Sequence, residues 1–207
     1  MSAKQLLPLS GVVAVLLIVI AFIVGGESPE ADDSLREVLS YYNNNETDVQ
    51  VASALLGLGA FFFLLFSAAL TDLFRRARPD SGVAPRLSLA GGIVFTVGAT
   101  IFAGLGFTAA EVVDDIAPGG TQAINALSSD MFFTVLVGGA AFLFGAGAAT
   151  LKSNLLPAWL GWAAIVIAVV MLTPVGFAGF LALGIWVLIV SAMLAMQART
   201  PAAPTST

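Results

Sequence analysis

Few of the 207 residues carry side chains that do chemistry, and the types present exclude most of it. Without His the chain lacks the commonest metal ligand and near-neutral proton shuttle; without Cys it lacks thiolate nucleophiles, thiolate ligands and disulfides. Carboxylates remain, and most of the 13 Asp and Glu fall in polar segments: Glu27, Glu30, Asp32, Asp33, Glu37, Glu46 and Asp48, then Glu111, Asp114 and Asp115, then Asp130. Neither Asp32-Asp33 nor Asp114-Asp115 has the Asp-x-Asp-x-Asp-Gly spacing of a dedicated calcium loop, so these groups read as solvated loop charge. No catalytic, cofactor-binding or metal-binding residue is assigned, no cofactor is expected, and the chain reads as a non-enzyme.

The apolar segments are as sparing. No Asp, Glu, Lys or Arg lies deep inside them, which removes the usual signature of a proton-coupled pump or an ion channel. Gln50, Ser53, Thr96, Thr100, Thr134 and Ser191 are read as bonding a helix backbone or a neighbouring helix rather than a ligand. Trp186 falls near the middle of an apolar run with an indole N–H that needs a partner. With Phe62 and Phe66 it forms the candidate apolar pocket, against the plainer reading of packed core. Asn45-Glu46-Thr47 matches a glycosylation acceptor, a triplet common by chance.

What positions these residues is a membrane fold. With 58% hydrophobic and 10% charged residues and a mean hydropathy of +0.98, the chain is too apolar for a soluble domain of this length. Its apolar runs approach the roughly 20 residues that cross about 30 Å of hydrocarbon as a helix. The fold class is therefore all-α, a polytopic bundle of six transmembrane helices at about 9–26, 49–70, 87–110, 131–151, 157–172 and 175–196. The first run is read as a retained span rather than a cleaved signal peptide, because its apolar core is unbroken from Gly11 to Val24 and no small-x-small cleavage site with Ala at both positions follows it. Pro79, Gly82 and Pro85 break the chain before the third span, and Ser128, Ser129 or Asp130 is expected to cap the fourth. Residues 198–207, rich in Pro, Thr and Ala, read as a disordered cytoplasmic tail.

Charge sets the orientation. Lys4, Arg75, Arg76, Arg78, Arg86, Lys152 and Arg199 fall on one side of the six spans and Arg36 on the other. The positive-inside rule then makes this a multi-pass plasma-membrane protein with both termini cytoplasmic. The pI of 4.4 belongs to the outer loops, and nucleic acid is not an expected partner. Asp72 precedes Arg75 and Arg76 by three and four residues, pairing distance at a solvated helix end.

The first outer loop holds one more element, a short amphipathic helix over residues 34–42. Asp33 or Ser34 caps it, Glu37 completes a capping box with Ser34, and Asn43-Asn44-Asn45 ends it. Leu35, Val38, Leu39 and Tyr42 form one apolar stripe, with Tyr41 beside it, and together they make the candidate outer lid or docking helix. A helix this short is marginal alone in water, so its stripe must rest on the bundle or the headgroups.

A weak repeat relates Leu7, Leu9, Gly11, Phe22 and Gly26 to Leu87, Leu89, Gly91, Phe102 and Gly106. The same offset relates Gly59, Ala60, Phe62, Ala68 and Ala69 to Gly139, Ala140, Phe142, Ala148 and Ala149, which admits three repeated helical hairpins. Ala141, Gly145 and Ala149, widened by Gly138, Gly139 and Gly147, let the fourth span sit centrally among its neighbours.

Leu155-Leu156-Pro157-Ala158-Trp159-Leu160-Gly161-Trp162, Pro174-Val175-Gly176-Phe177-Ala178-Gly179-Phe180-Leu181 and Leu56-Gly57-Leu58-Gly59-Ala60-Phe61-Phe62-Phe63 resemble uncharacterised six-helix membrane proteins of actinobacteria. The resemblance implies source and topology and supplies no site residue. Two functional readings stay open. One is a non-enzymatic accessory or assembly subunit that works through helix packing and its acidic outer loop, with membrane lipids and other membrane proteins as partners. The other is a binder or transporter of an apolar small molecule or lipid.

Overall fold

In hydrocarbon a backbone N–H or C=O has no partner but another backbone group, so long apolar segments close their hydrogen bonds within helices. The structure, a computed structural model, describes residues 9–80 and 82–197 and is all-helical over them. Seven helices follow in order: α1 (Ser10–Gly25), α2 (Leu35–Asn44), α3 (Glu46–Ala77), α4 (Ala84–Glu111), α5 (Pro118–Ser153), α6 (Ala158–Met171) and α7 (Gly176–Gln197). Four of them, α3, α4, α5 and α7, are long and apolar enough to cross a membrane, which makes this a membrane-type helical bundle. Helices α1 and α6 are apolar but shorter, at 16 and 14 residues. Lys4, Arg199 and the expected tail from 198 lie outside the described residues.

Consecutive apolar helices pack antiparallel through small residues. The α4–α5 contact is the most intimate, because a Cβ at Gly91 would fall on the backbone of Phe142 and one at Gly145 on that of Ser88. At Gly147 a Cβ would stand 2.7 Å from the carbonyl of Gly161, so α6 lies on the other flank of α5. The small-residue face of α5 is thus used on both sides. The core that results is aromatic: Phe63 meets Phe142 edge-on at 5.0 Å, and Phe142 meets Trp186 at 6.0 Å.

Several helices are longer than their apolar runs. At 1.5 Å per residue, the 36 residues of α5 extend roughly 54 Å, against about 30 Å of hydrocarbon. In α5 the excess is mostly at the acidic end, whereas α3 also runs on past Leu70 to Ala77 at the basic end. Where the apolar run predicts a helix from Met131, α5 starts at Pro118, and where it predicts one from Val49, α3 starts at Glu46. Ser128, Ser129 and Asp130 therefore lie inside a helix and cap nothing; the N-cap position belongs to Ala117, without a side-chain bond. Ser128 instead donates to the Phe102 carbonyl (3.4 Å) and Ser129 to that of Asn125 (3.1 Å). Pro85, expected to break the chain, sits in the first turn of α4, where its missing N–H costs nothing.

At the opposite, basic end Arg78 donates to the Lys152 carbonyl (2.7 Å), tying the α3–α4 connection to the C-terminus of α5, where a cation is favoured. Arg76 pairs with Asp72 at 2.6 Å, both well exposed, a pair worth at most about 1 kcal/mol.

A capped cavity as the candidate functional site

Helix α2 is laid across the acidic end. Its start is a capping box: the Ser34 hydroxyl accepts from the Glu37 N–H and the Glu37 carboxylate accepts from the Ser34 N–H, as the spacing predicts. The Ser34 hydroxyl, and after it the Ser34 backbone N–H, hold the Glu37 carboxyl below its ordinary value of 4.5. The stripe turns inward on Val38 and Tyr42, which are buried, while Leu39 and Tyr41 are half-buried. Leu35 stays 37% exposed, because the helix starts at the rim and its first turn overhangs. Val38 and Tyr42 join Val49, Ala109, Ala110 and Val113 in a second small core, built on the overhanging ends of α3, α4 and their junctions.

Three polar contacts latch this cap. The Tyr42 hydroxyl donates to Asn125 Oδ1 (3.0 Å) on α5, Asn125 Nδ2 donates to the Glu30 carbonyl (3.1 Å), and the Tyr41 hydroxyl donates to the Gly25 carbonyl (2.7 Å) at the end of α1. Asn125 is the hub. It is 2% exposed, so both ends of its amide must be satisfied inside the protein. Burial, with Tyr41 beside it adding to the effect, pushes the Tyr42 phenol up to about 12. Burial and then the Asp48 carboxylate also raise Tyr41. Sequence reasoning read α2 but missed Asn125, since residues before Met131 were taken as loop. The signal was there: Thr121, Asn125 and Ser128 recur on one helical face, and all three are buried.

Beneath the cap is a cavity of about 80 Å³. Tyr41, Tyr42, Asn125 and Ser128 form its polar wall, and Phe22, Leu56 and Phe102 its apolar one. The lining includes Ser28 and Ser53 and no Asp, Glu, Lys or Arg, although exposed carboxylates surround the same end of the bundle. A second cavity, about 250 Å³ and almost wholly apolar, lies lower, between α1 and α7 over Phe63 and Phe95. Its rim residues Val19, Leu181 and Ile185 are exposed.

The candidate pocket residues lie elsewhere. Phe66 and Trp186 are buried in the core, Phe62 packs half-buried against it, and none of the three lines either cavity. The indole N–H of Trp186 has its partner in the Leu160 carbonyl (3.0 Å), so it pins α7 to α6. The apolar space is lined instead by Phe63, Phe95 and Phe180. Of the polar residues in the spans, Thr96 donates to the Gly92 carbonyl (2.8 Å) and Thr100 to that of Thr96 (2.9 Å). Asn45 of the glycosylation triplet spends its amide on the Tyr41 carbonyl (2.9 Å) at the α2–α3 junction. Among the described residues no group of three His, Cys, Asp or Glu converges on a metal position. No family model, curated protein or solved structure matches this chain.

Proposed function

We propose that the protein is a six-span plasma-membrane protein, non-enzymatic, that holds a small amphipathic molecule at its outer end, in the cavity beneath α2. The observation that carries this reading is the latch. A helix that merely rested on headgroups has no need of a buried Tyr–Asn bond and a roof over a lined cavity. Six spans are supported by the antiparallel order of α1, α3, α4, α5, α6 and α7 and by their apolar content. Cytoplasmic termini are supported by Arg75, Arg76, Arg78, Arg86 and Lys152 gathering at one end. The same order is compatible with three hairpins, and the actinobacterial resemblance with this topology.

Native mass spectrometry of protein extracted with its lipids tests the function. Wild type retains a small amphiphile, and Gly106→Leu, whose side chain would project toward Ser53 in the cavity, releases it. Equal spectra without bound mass from both would remove the reading. The accessory-subunit reading rests on the exposed apolar face of α6, with Trp162, Val166 and Val169. A stoichiometric membrane partner lost on substituting that face would favour it.

A further inference from the structure

Between the two cavities lies a third, small one. A void of about 10 Å³, close to the size of one water, shares Phe22, Leu56 and Phe102 with the capped cavity and Phe95 and Phe180 with the lateral one. It therefore lies on the line between them. Its walls are an aromatic collar: Phe22 meets Phe180 edge-on at 5.8 Å, Phe132 meets Phe180 at 5.4 Å, and Phe102 meets Phe132 at 5.8 Å. Phe22, Phe102 and Phe132 are only half-buried. Polar hydroxyls and an amide stand at one end of this line and an almost purely hydrocarbon surface at the other.

Resting on the function proposed above, we infer that the ligand is a single-chain lipid with an uncharged, hydroxylated head, threaded through the collar. Its head sits beneath Tyr41 and Tyr42 and its chain passes Phe22 and Phe180 into the groove between α1 and α7. One chain is what a passage this narrow admits once the rings turn; a two-chain lipid would place its second tail against Leu56 and Phe102. The head is uncharged because the capped cavity has no Lys or Arg to receive a phosphate or carboxylate, and Glu27, Glu30, Asp48 and Asp130 surround its end of the bundle. It is hydroxylated because the wall offers the Ser28 and Ser53 side chains, whose hydroxyls both give and take hydrogen bonds.

The full chain is reconstituted in phosphatidylcholine nanodiscs with a monoacylglycerol bearing a diazirine midway along its chain, and labelled peptides are mapped after irradiation. The expected result is labelling of α1 and α7 around Val19, Leu181 and Gly184, lost with excess monobutanoyl glycerol, which carries the head alone. Gly184→Leu fills the groove, where its Cβ would meet only Val15 at 3.7 Å, and loses groove labelling while the head analogue still binds. Gly106→Leu, whose Cβ would stand 3.5 Å from Ser53 Oγ, loses groove labelling although it leaves the groove untouched. Ser53→Leu repeats that arm should Gly106→Leu not fold. Groove labelling that survives both outer substitutions would mean that tails enter from the bilayer, and the threaded ligand is then wrong while the outer site stands. Equal labelling by the matching fatty acid would overturn the uncharged head. Absence of saturable labelling at either cavity, with no binding of the head analogue, would remove both proposals.

Discussion

Tyr42 serves the acidic end twice, since it fills the small core and its hydroxyl completes the Asn125 amide. Tyr42→Phe keeps the ring and strands Asn125 Oδ1, a buried acceptor whose loss of partner costs about 1–3 kcal/mol. Hydrogen exchange of residues 35–44 should then speed up while the core of α5 is unchanged. The raised phenol also gives a pH signature. A group whose folded pKa lies above its unfolded one adds stability that is complete below the unfolded value and lost as pH rises through the folded one. With Tyr42 at about 12 against 10.0, the cap should hold at neutral pH and loosen across that interval. Tyr42→Phe should reduce the alkaline transition to the part that Tyr41, also raised by burial, contributes, read by the same exchange experiment. Glu37 has the opposite sign: its lowered pKa means that the capping box is intact above the ordinary value of 4.5 and fails only as pH drops beneath it.

At the scale of elements, the apolar runs were legible because hydrocarbon selects for them directly, and α2 was legible because capping box and stripe agree. The overhangs were not. Hydropathy stops reporting where the chain leaves the bilayer, yet α5 continues as helix from Pro118 because Gln122, Asn125 and Ser128 are bonded to the 29–33 loop, α2 and α4. The pocket was misplaced for a related reason. Aromatic type marks Phe62, Phe66 and Trp186 as equal candidates, but only packing decides that Trp186 closes on Leu160 and that Phe180 faces the void. Glycine is the same case, since its meaning lies in what stands opposite. Gly91→Val, aimed at the Phe142 backbone, should separate α4 from α5 and cost at least the 1–3 kcal/mol of an overpacked core. Gly57→Ala, with nothing within 4 Å, should be neutral or stabilising by up to about 1 kcal/mol. Thermal unfolding of the two variants in one detergent separates them.

For the whole molecule the decisive helix is the shortest of the apolar six. The 14 residues of α6 rise roughly 21 Å, well short of about 30 Å of hydrocarbon, so length alone leaves its crossing open, whereas the 22 residues of α7 suffice for one. Packing argues for crossing. Helix α6 starts beside the basic end, where Gln197 of α7 donates to the Leu155 carbonyl (3.4 Å), and finishes with Met171 against Gly139 and Gly179. From there α7 begins beside Phe22 and Phe132, below the α2 cap. The α6–α7 turn thus reaches the level at which α1 nears its acidic-end terminus, and the bilayer has only to thin locally, at a modest cost per ångström of mismatch. Because the chain has no Cys, single substitutions report sidedness cleanly. An impermeant thiol reagent added to intact cells should label Cys at Ser34 and at Thr173 and spare Cys at Asp80 and at Asn154. Protection of Thr173→Cys together with Asn154→Cys would make α6 and α7 re-entrant, and labelling of Asp80→Cys with protection of Ser34→Cys would invert the topology. In either case the cap would remain folded, because the Tyr42–Asn125 latch is made between α2 and α5 and depends on no contact with α6.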